Sequence, residues 1–489
     1  MLAAVITKLK DIQKAEGADL IELRLDYIKN LNNKKLKSMI KHSKKPVIAT
    51  CRKNGEGGFF NGSEAKRIEI LKNAANIGAD CVDIECSSDK KSIKSIIKNK
   101  KNAHIIVSYH NCKETPINIK NIYNNIKKLN PDLIKIVTNA NSVTDNFGIF
   151  DLIKTANNEK RKIIAFCMGS YGEFSRILGI IFGSRITYAS VKEGKESAPG
   201  QLTIDELNNI YRIKKINKNT KITGLIGNPV EHSWSHIMHN AAFDKLDINA
   251  VYFKFKVDKL KEFIDYFRGL NTLGFSVTIP HKIEVMEFLD RIDNKAKEIG
   301  AVNTIVAEHG KLAGYNTDCD GAVKALNQKA RLKNKNVVVL GAGGSSRALA
   351  YGLMENNANV TVLNRTIKKA KSIADDFGCS YGSLKNLKKA DYDILVNTTS
   401  VGMYPNANSS PIPAALIKKN SIVFDIVFNP YKTKLLRDAE KRGCAVIPGI
   451  EMLVNGNAMQ FSLWTGKKMP EQLAKNKVMN YLKNASHQN

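Results

Sequence analysis

Short apolar runs recur along the first 215 residues, separated by polar, lysine-rich stretches. The runs are Leu2–Thr7, Leu20–Leu25, Val47–Cys51, Cys81–Glu85, His104–Ser108, Leu133–Val137, Ile163–Met168 and Ile186–Ser190. Each has the length and the β-branched content of a strand buried on both faces. The stretches between them carry helical periodicity. In Glu64–Asn76, Ile68, Leu71 and Ala75 share one face, and Ser63 ahead of them is suited to cap the helix. Strands alternating with helices in this way predict a compact (β/α)8 barrel; a doubly wound open sheet is the alternative.

The pattern then restarts. Thr203-Ile204-Asp205-Glu206 has the T-x-x-E form of a capping box and predicts the last helix of the first unit. The polar stretch Lys214–Lys221 reads as a linker, and a new strand begins at Ile222. Further on, Asn336–Arg365 gives strand, glycine turn, helix and strand. Val337–Leu340 runs into Gly341-Ala342-Gly343-Gly344, Ser345 opens an Ala/Leu-rich helix, and Val360–Leu363 follows. Glycines there let the backbone approach a pyrophosphate, and the helix N-terminus receives its charge. The simpler alternative is a βαβ unit that binds nothing. After the second strand, where a fold that prefers NAD would carry an acid, stand Asn364, Arg365 and Thr366, with Lys368 and Lys369 close behind. A guanidinium at that place clamps a 2′-phosphate, so the expected cofactor is NADP.

Composition changes this picture little. A chain of 489 residues accommodates about three domains. The net charge of +30 raises nucleic acid, acidic lipid or small anions as partners. The lysines are scattered among Asn and Ile, without an arginine-rich run or an aromatic-interleaved basic strip, so neither a nucleic-acid nor a membrane partner is expected. A positive field still favours collecting phosphates and carboxylates. The eight cysteines form no C-x-x-C pair, as reduced thiols in a cytosol-like compartment would. With no leader-like N-terminus and no membrane-length apolar run, a cytoplasmic location is expected.

The carboxyl ends of barrel strands are where chemistry collects. Glu22, Arg24 and Asp26 alternate there and share a face; Arg52 and Glu56 follow the third strand; His110 follows the fifth. Lys135 lies inside the apolar run Leu133-Ile134-Lys135-Ile136-Val137. Burial, with Arg24 or Arg52 nearby, is expected to lower its pKa and leave an amine able to attack a ketone. A shifted strand register would instead leave Lys135 on the surface.

The segments Glu22–Asp26, Thr50–Gly58, Val107–Asn111, the Lys135 strand, Gly172–Gly179, Phe182–Ser190 and Ser197–Gln201 together resemble type I 3-dehydroquinate dehydratase, over about residues 1–214. The resemblance implies that Lys135 forms a Schiff base with the substrate ketone. His110 then removes and returns a proton, and Glu56 holds its imidazole. Arg176 would clamp the substrate carboxylate, and Glu22, Arg24, Arg52, Ser197 and Gln201 would hold hydroxyls and the closing loop.

In the second half, Gly224–Phe243 carries His232, His236 and His239 at helical spacing. No carboxylate or cysteine completes a ligand set, so no metal is expected. Ser233 and Ser235 are either N-caps or hydroxyls for a polyol acid. Phe275–Lys282, Ala301–Ile305, Gly314–Ala322, Asn364–Thr366, Asn397–Met403 and Pro448–Leu453 together resemble shikimate dehydrogenase, over roughly residues 221–489. The resemblance implies Lys282 and Asp318 as the proton-transferring pair and Ser233, Ser235, Thr278, Asn303 and Gln460 as substrate contacts. Thr398, Met403 and Gly449 would join the glycine turn in holding the cofactor. Two positions depart from the family: Phe428 where a tyrosine is usual, and Gly456 where a substrate-binding glutamine is usual.

The expected organisation is a barrel over 1–216, a substrate domain over 221–321 completed by C-terminal helices at about 452–489, and a Rossmann domain over 322–451. The expected activity is dehydration of 3-dehydroquinate followed by NADPH-dependent reduction of 3-dehydroshikimate to shikimate. The rival enzyme reading is a Schiff-base aldolase joined to a quinate or other hydroxy-acid dehydrogenase. A basic nucleic-acid-binding protein with decayed domains is a third. The sequence does not set the oligomeric state.

Overall fold

A computed structural model describes residues 1–486. Three sheets account for the strands, and the chain divides into two compact units, Met1–Thr220 with Phe255–Tyr266, and Lys221–Lys254 with Phe267 onward.

The first sheet is parallel and eight-stranded: β1 (Leu2–Ile6), β2 (Leu20–Arg24), β3 (Val47–Thr50), β4 (Cys81–Glu85), β5 (His104–Asn111), β6 (Leu133–Asn139), β7 (Ile163–Met168) and β8 (Thr187–Ser190). Its order, β7-β6-β5-β4-β3-β2-β1-β8, is that of a barrel cut between its last two strands. Across that seam Arg185 N donates to Ile163 O (2.9 Å) and Ala165 N donates to Ser184 Oγ (3.1 Å). The fold class is therefore the expected one. Alternate residues of the strands, among them Ala3, Val5, Ile48, Ile106, Leu133, Val137, Ile164 and Phe166, fill the interior, as layers of branched side chains do in such barrels. Ser63 caps the helix Glu64–Ile77 by accepting from Lys66 N. Thr203 and Glu206 form the reciprocal capping box, Glu206 N to Thr203 Oγ1 and Thr203 N to Glu206 Oε2.

The second sheet is mixed, in the order β10-β9-β11-β13-β14-β12. Its strands are β9 (Lys221–Gly227), β10 (Ala250–Lys256), β11 (Thr272–Val277), β12 (Arg291–Ile292), β13 (Thr304–Glu308) and β14 (Lys311–Tyr315). The third is wholly parallel, with β15 (Asn336–Leu340), β16 (Asn359–Leu363), β17 (Ser380–Gly382), β18 (Ile394–Asn397), β19 (Ile422–Asp425) and β20 (Ala445–Ile447). Its order, β17-β16-β15-β18-β19-β20, reverses between β15 and β18, the switch point at which such sheets bind ligands.

The helix Ile450–Thr465 returns to the second sheet. Trp464 Nε1 donates to Ile305 O (2.8 Å) and Gln460 Nε2 donates to Thr304 Oγ1 (3.1 Å). The helix Glu471–Ser486 follows; the expected C-terminal helical segment also includes 487–489, which lie outside the described residues. No helix among the described residues is long and apolar enough to cross a membrane.

Candidate active sites

Lys135 points into the first sheet's interior with a side chain only 4% exposed, which excludes the surface register. Its Nζ donates to Glu22 Oε1 on β2 (3.1 Å) and to Asp83 Oδ2 on β4 (3.0 Å), and lies 4.2 Å from the ring centroid of Tyr188 on β8. The expected depressed pKa is corrected. Burial does pull it down, but Asp83 and Glu22 outweigh burial and hold the ammonium above the ordinary lysine range. The cations expected to depress it are themselves neutralised. Arg24 makes a two-pronged bond to Asp26 (3.0 and 2.8 Å) and reaches Gly57 O. Arg52 bonds Asp83 (3.1 and 2.9 Å), Glu85 (3.1 Å) and Ser108 Oγ (2.8 Å).

His110 does not follow β5 but belongs to it. Its ladder partner is Val137, two places beyond the Ser108–Lys135 pair, so its side chain leaves the same face as theirs. Burial, then the charges of Arg52 and Lys135, drive its pKa well below the usual histidine value, so the imidazole is neutral at neutral pH. Glu56 Oε2 is 3.6 Å from His110 Nδ1, and that nitrogen has no hydrogen-bond partner. Instead Glu56 accepts from the backbone N of His110 (3.1 Å) and from Ser87 Oγ (2.6 Å). It anchors the strand end rather than the ring.

Arg176 is buried against Phe166, 4.6 Å from that ring's centroid. Its Nη2 donates to Pro199 O (3.1 Å), its Nε has no partner, and burial brings its pKa down to about 10. A buried guanidinium this poorly satisfied calls for an anion. Gln201 Oε1 accepts from both Ser197 N (2.7 Å) and Ser197 Oγ (3.1 Å), closing the loop that supplies Pro199.

In the second unit Lys282 Nζ lies 2.5 Å from Asp318 Oδ2. Asn303 Nδ2 donates to the other oxygen, Asp318 Oδ1 (2.7 Å), so the carboxylate is held from both sides. Gln460 Oε1 accepts from Ser276 Oγ (2.8 Å), which in turn accepts from Tyr252 OH (2.8 Å). Ser233 Oγ accepts from Ser235 N at 3.4 Å at the start of the helix Ser235–Lys245. Thr278 follows β11, half-buried, four residues before Lys282. His239 stacks on Tyr252 (4.5 Å) and bonds Asn457 Oδ1 (2.7 Å) within the core.

The glycine turn follows β15. Gly341 has φ +115°, and a Cβ there would lie 2.6 Å from Thr398 Oγ1. A Cβ on Gly343 would meet nothing within 4 Å, so that face is open to a ligand. The helix Gly344–Glu355 begins there, and a Cβ on Gly344 would lie 3.5 Å from Lys282 Cδ. The turn and the Lys282–Asp318 pair thus share one site. Arg365, Thr366, Lys368 and Lys369 are exposed beyond β16, with Asn364 Nδ2 bonding Thr366 O (3.0 Å). Ala342 and Ser345 complete the turn, half-buried; Met403 N bonds Ser400 O; Gly449 tolerates no Cβ, which would lie 2.4 Å from Ile426 O. These residues fit a 2′-phosphorylated dinucleotide: amides at a helix start for the pyrophosphate, cations beyond the second strand.

Sequence reasoning overlooked several members. Asp83 and Glu85 alternate on β4, a spacing as legible as that of Lys135. Tyr188 stands in the expected eighth strand and in the Phe182–Ser190 segment, with no role of its own assigned there. Ser346, whose Oγ is 2.5 Å from Thr398 Oγ1, sits one residue beyond the turn.

The class defined is a lyase-type barrel with a buried lysine, followed on the same chain by a dinucleotide-dependent dehydrogenase. Residues 1–218 match the model of type I 3-dehydroquinase, 225–305 that of the shikimate dehydrogenase substrate binding domain, and 323–428 that of shikimate / quinate 5-dehydrogenase. The chain is 39% identical over 480 residues to the chloroplastic bifunctional 3-dehydroquinate dehydratase/shikimate dehydrogenase of Arabidopsis thaliana, covering 94% of this chain and 79% of that one. It is 46% identical over 278 residues to the NADP(+) shikimate dehydrogenase of Methanococcus aeolicus, 55% of this chain and 100% of the relative. A shikimate dehydrogenase solved with NADP+ superposes with a TM-score of 0.53 at 42% identity, over 55% of this chain and 97% of that one. The shikimate 5-dehydrogenase of Thermus thermophilus, solved with NADP(H) and shikimate, gives 0.50 at 33%, over 53% and 99%. The chain belongs to the family of bifunctional 3-dehydroquinate dehydratase/shikimate dehydrogenases.

Proposed function

We infer that the chain performs two successive steps, dehydration of 3-dehydroquinate to 3-dehydroshikimate and NADP-dependent reduction of that product to shikimate. The observation that carries the first is the buried Lys135 on the same barrel face as a neutral imidazole. The ammonium has carboxylate acceptors on Glu22 and Asp83 at 3.1 and 3.0 Å. With its proton passed to one of them, Nζ attacks the ketone and, as the ketone oxygen leaves as water, forms a protonated imine, which acidifies the adjacent C–H. His110, neutral and desolvated, removes that proton and returns one to the departing hydroxyl. Arg176 takes the substrate carboxylate; Arg24, Arg52, Ser197 and Gln201 line and close the pocket.

For the second step, NADPH would supply a hydride when bound. Lys282 delivers the proton that the reduced ketone oxygen requires, and Asp318, oriented by Asn303, keeps the amine aimed. Ser233, Ser235, Thr278, Asn303 and Gln460 hold the substrate's carboxylate and hydroxyls. Gly341, Ala342, Gly343, Gly344 and Ser345 would receive the pyrophosphate, Asn364, Arg365 and Thr366 the 2′-phosphate, and Thr398, Met403 and Gly449 the rest of the cofactor.

The supporting domain division is 1–216, 221–321 with the C-terminal helices from about 452, and 322–451. Partners are the small acids named above. Free thiols throughout support a cytoplasmic location, whereas the Arabidopsis relative is named chloroplastic; fractionation of the source cells decides.

The deciding experiment couples the two halves. With 3-dehydroquinate and NADPH, the chain consumes NADPH. Lys135→Ala should abolish that consumption but still use added 3-dehydroshikimate, and Lys282→Ala should accumulate 3-dehydroshikimate. Both variants behaving as wild type sinks the assignment. A second reading of the dehydrogenase half rests on Phe428 and Gly456, which remove two polar groups and so relax the hold on shikimate. Faster oxidation of quinate than of shikimate would favour it.

A further inference from the structure

Several buried polar atoms of the barrel have no hydrogen-bond partner, among them His110 Nδ1, Arg176 Nε, Tyr188 OH and Ser190 Oγ. His110 and Arg176 already have roles in the reading above. The Tyr188 hydroxyl does not. Tyr188 is 3% exposed, on β8, among the side chains that fill the barrel interior. A phenol in such a place ordinarily finds a partner, because a buried hydroxyl that has lost its water and gained nothing in exchange is destabilising. Its ring lies under Lys135 Nζ, 4.2 Å from the centroid, so its hydroxyl stands beside the amine rather than across the barrel. Burial holds the phenol protonated, its pKa well above the usual tyrosine value, so it remains a donor throughout the working range.

We propose that Tyr188 is a further catalytic residue of the dehydratase: its hydroxyl donates a hydrogen bond to the substrate's ketone oxygen as Lys135 adds to the carbonyl carbon. The inference rests on the Schiff-base reading of Lys135. In that step the N–C bond forms, the C=O π pair moves to oxygen, and nitrogen becomes positively charged. Proton transfer from nitrogen to oxygen gives the neutral carbinolamine, which then loses water to the imine. The oxygen carrying the developing negative charge is bonded to the same carbon as Nζ, so a donor beside Nζ is within its reach. Of Glu22 and Asp83, whichever stays ionised accepts only and would repel an alkoxide, and the other can donate only after taking the lysine's proton, whereas the phenol is a donor from the outset. The ring supports the same step differently, its face lying against the cationic nitrogen.

Tyr188→Phe in the full chain separates the two contributions, because it keeps the ring and removes only the hydroxyl. Adduct formation with 3-dehydroquinate is followed by rapid-quench borohydride reduction and mass measurement at Lys135, beside steady-state dehydration. The trapping rate and kcat should both fall by about 10- to 100-fold, with KM nearly unchanged, thermal stability equal or higher, and reduction of added 3-dehydroshikimate unaffected. Wild-type trapping rate and kcat in Tyr188→Phe would overturn the proposal. So would a rise in KM at constant kcat, which means ground-state binding alone, or a fall in activity matched by a fall in melting temperature, which means a structural role. If the wild-type chain yields no adduct at Lys135, the Schiff-base reading fails instead.

Discussion

Asp83 joins two buried cations of the barrel. It contacts Lys135 at 3.0 Å and Arg52 at 2.9 Å, and accepts from Ser108 Oγ at 2.6 Å. Burial alone would raise its pKa; the two cations reverse that and hold it far below the usual carboxylate range. Neutralising it leaves three buried cations, Lys135, Arg52 and Arg67, sharing two buried carboxylates, Glu22 and Glu85. Asp83→Asn should therefore destabilise the first unit by about 3–5 kcal/mol, read as a lowered urea midpoint, even though the substitution is nearly isosteric. At this scale the sequence revealed chemical types but not pairings. Lys135 stood out because an amine interrupts an apolar strand. The Arg24–Asp26 pair was within reach of the local spacing, but that Arg52 and Lys135 answer to Asp83 depends on which strands are neighbours, which the run of residues does not contain. The error about the lysine's pKa came from counting cations without their acids.

Strands and turns were more legible, because period and glycine placement are local. The eight expected barrel runs became eight strands, Cys81–Glu85 and Ile163–Met168 unchanged and the other six with one end moved; β5 runs on to Asn111 because its last residues pair with Val137 and Thr138. The glycine turn supports a paired test. Gly341→Ala places a methyl against Thr398 at φ +115°, so it should lose both stability and cofactor affinity. Gly343→Ala meets no protein atom within 4 Å, so its unfolding free energy should stay within about 0.5 kcal/mol of wild type. The KM for NADPH should nonetheless rise; an unchanged KM would mean the cofactor does not approach that turn. The end of β19 supplies a pH test. Burial lifts Asp425 to about 6, despite bonds from Thr433, Val427 and Asn397. Its unfolded value is near 3.9, so the unfolded chain ionises it first and stability declines as pH rises from about 4 to about 6, by about 3 kcal/mol. Asn fits the same bonds: Oδ1 accepts from Asn397 and Val427, and an amide can face Thr433 Oγ1. Asp425→Asn should gain stability relative to wild type across that interval, and a difference that is flat with pH would refute the assignment.

For the molecule as a whole, the restart of periodicity after residue 214 was enough to announce a second unit, and the net charge of +30 was of little help. The mixed order of the second sheet was not foreseen in detail, since β11 pairs with both β9 and β13, one parallel and one antiparallel. Ligand linkage offers a test at this scale: NADP+ at about 100 times its Kd should add about 2.7 kcal/mol to unfolding of the unit that binds it. Calorimetry with NAD+ at the same concentration should give a smaller shift, and an equal one would remove the case for Arg365. The seam between β7 and β8 has a consequence of its own. Among the described residues two hydrogen bonds bridge it, where the other neighbours share full ladders. Amides along that stave edge should exchange with deuterium soonest. The under-bonded Arg176 comes from the helix joining those two staves, and Tyr188 lies on the second. An acid seated between them would act as the hoop that the wall lacks, so that occupancy and closure of the cask become one event.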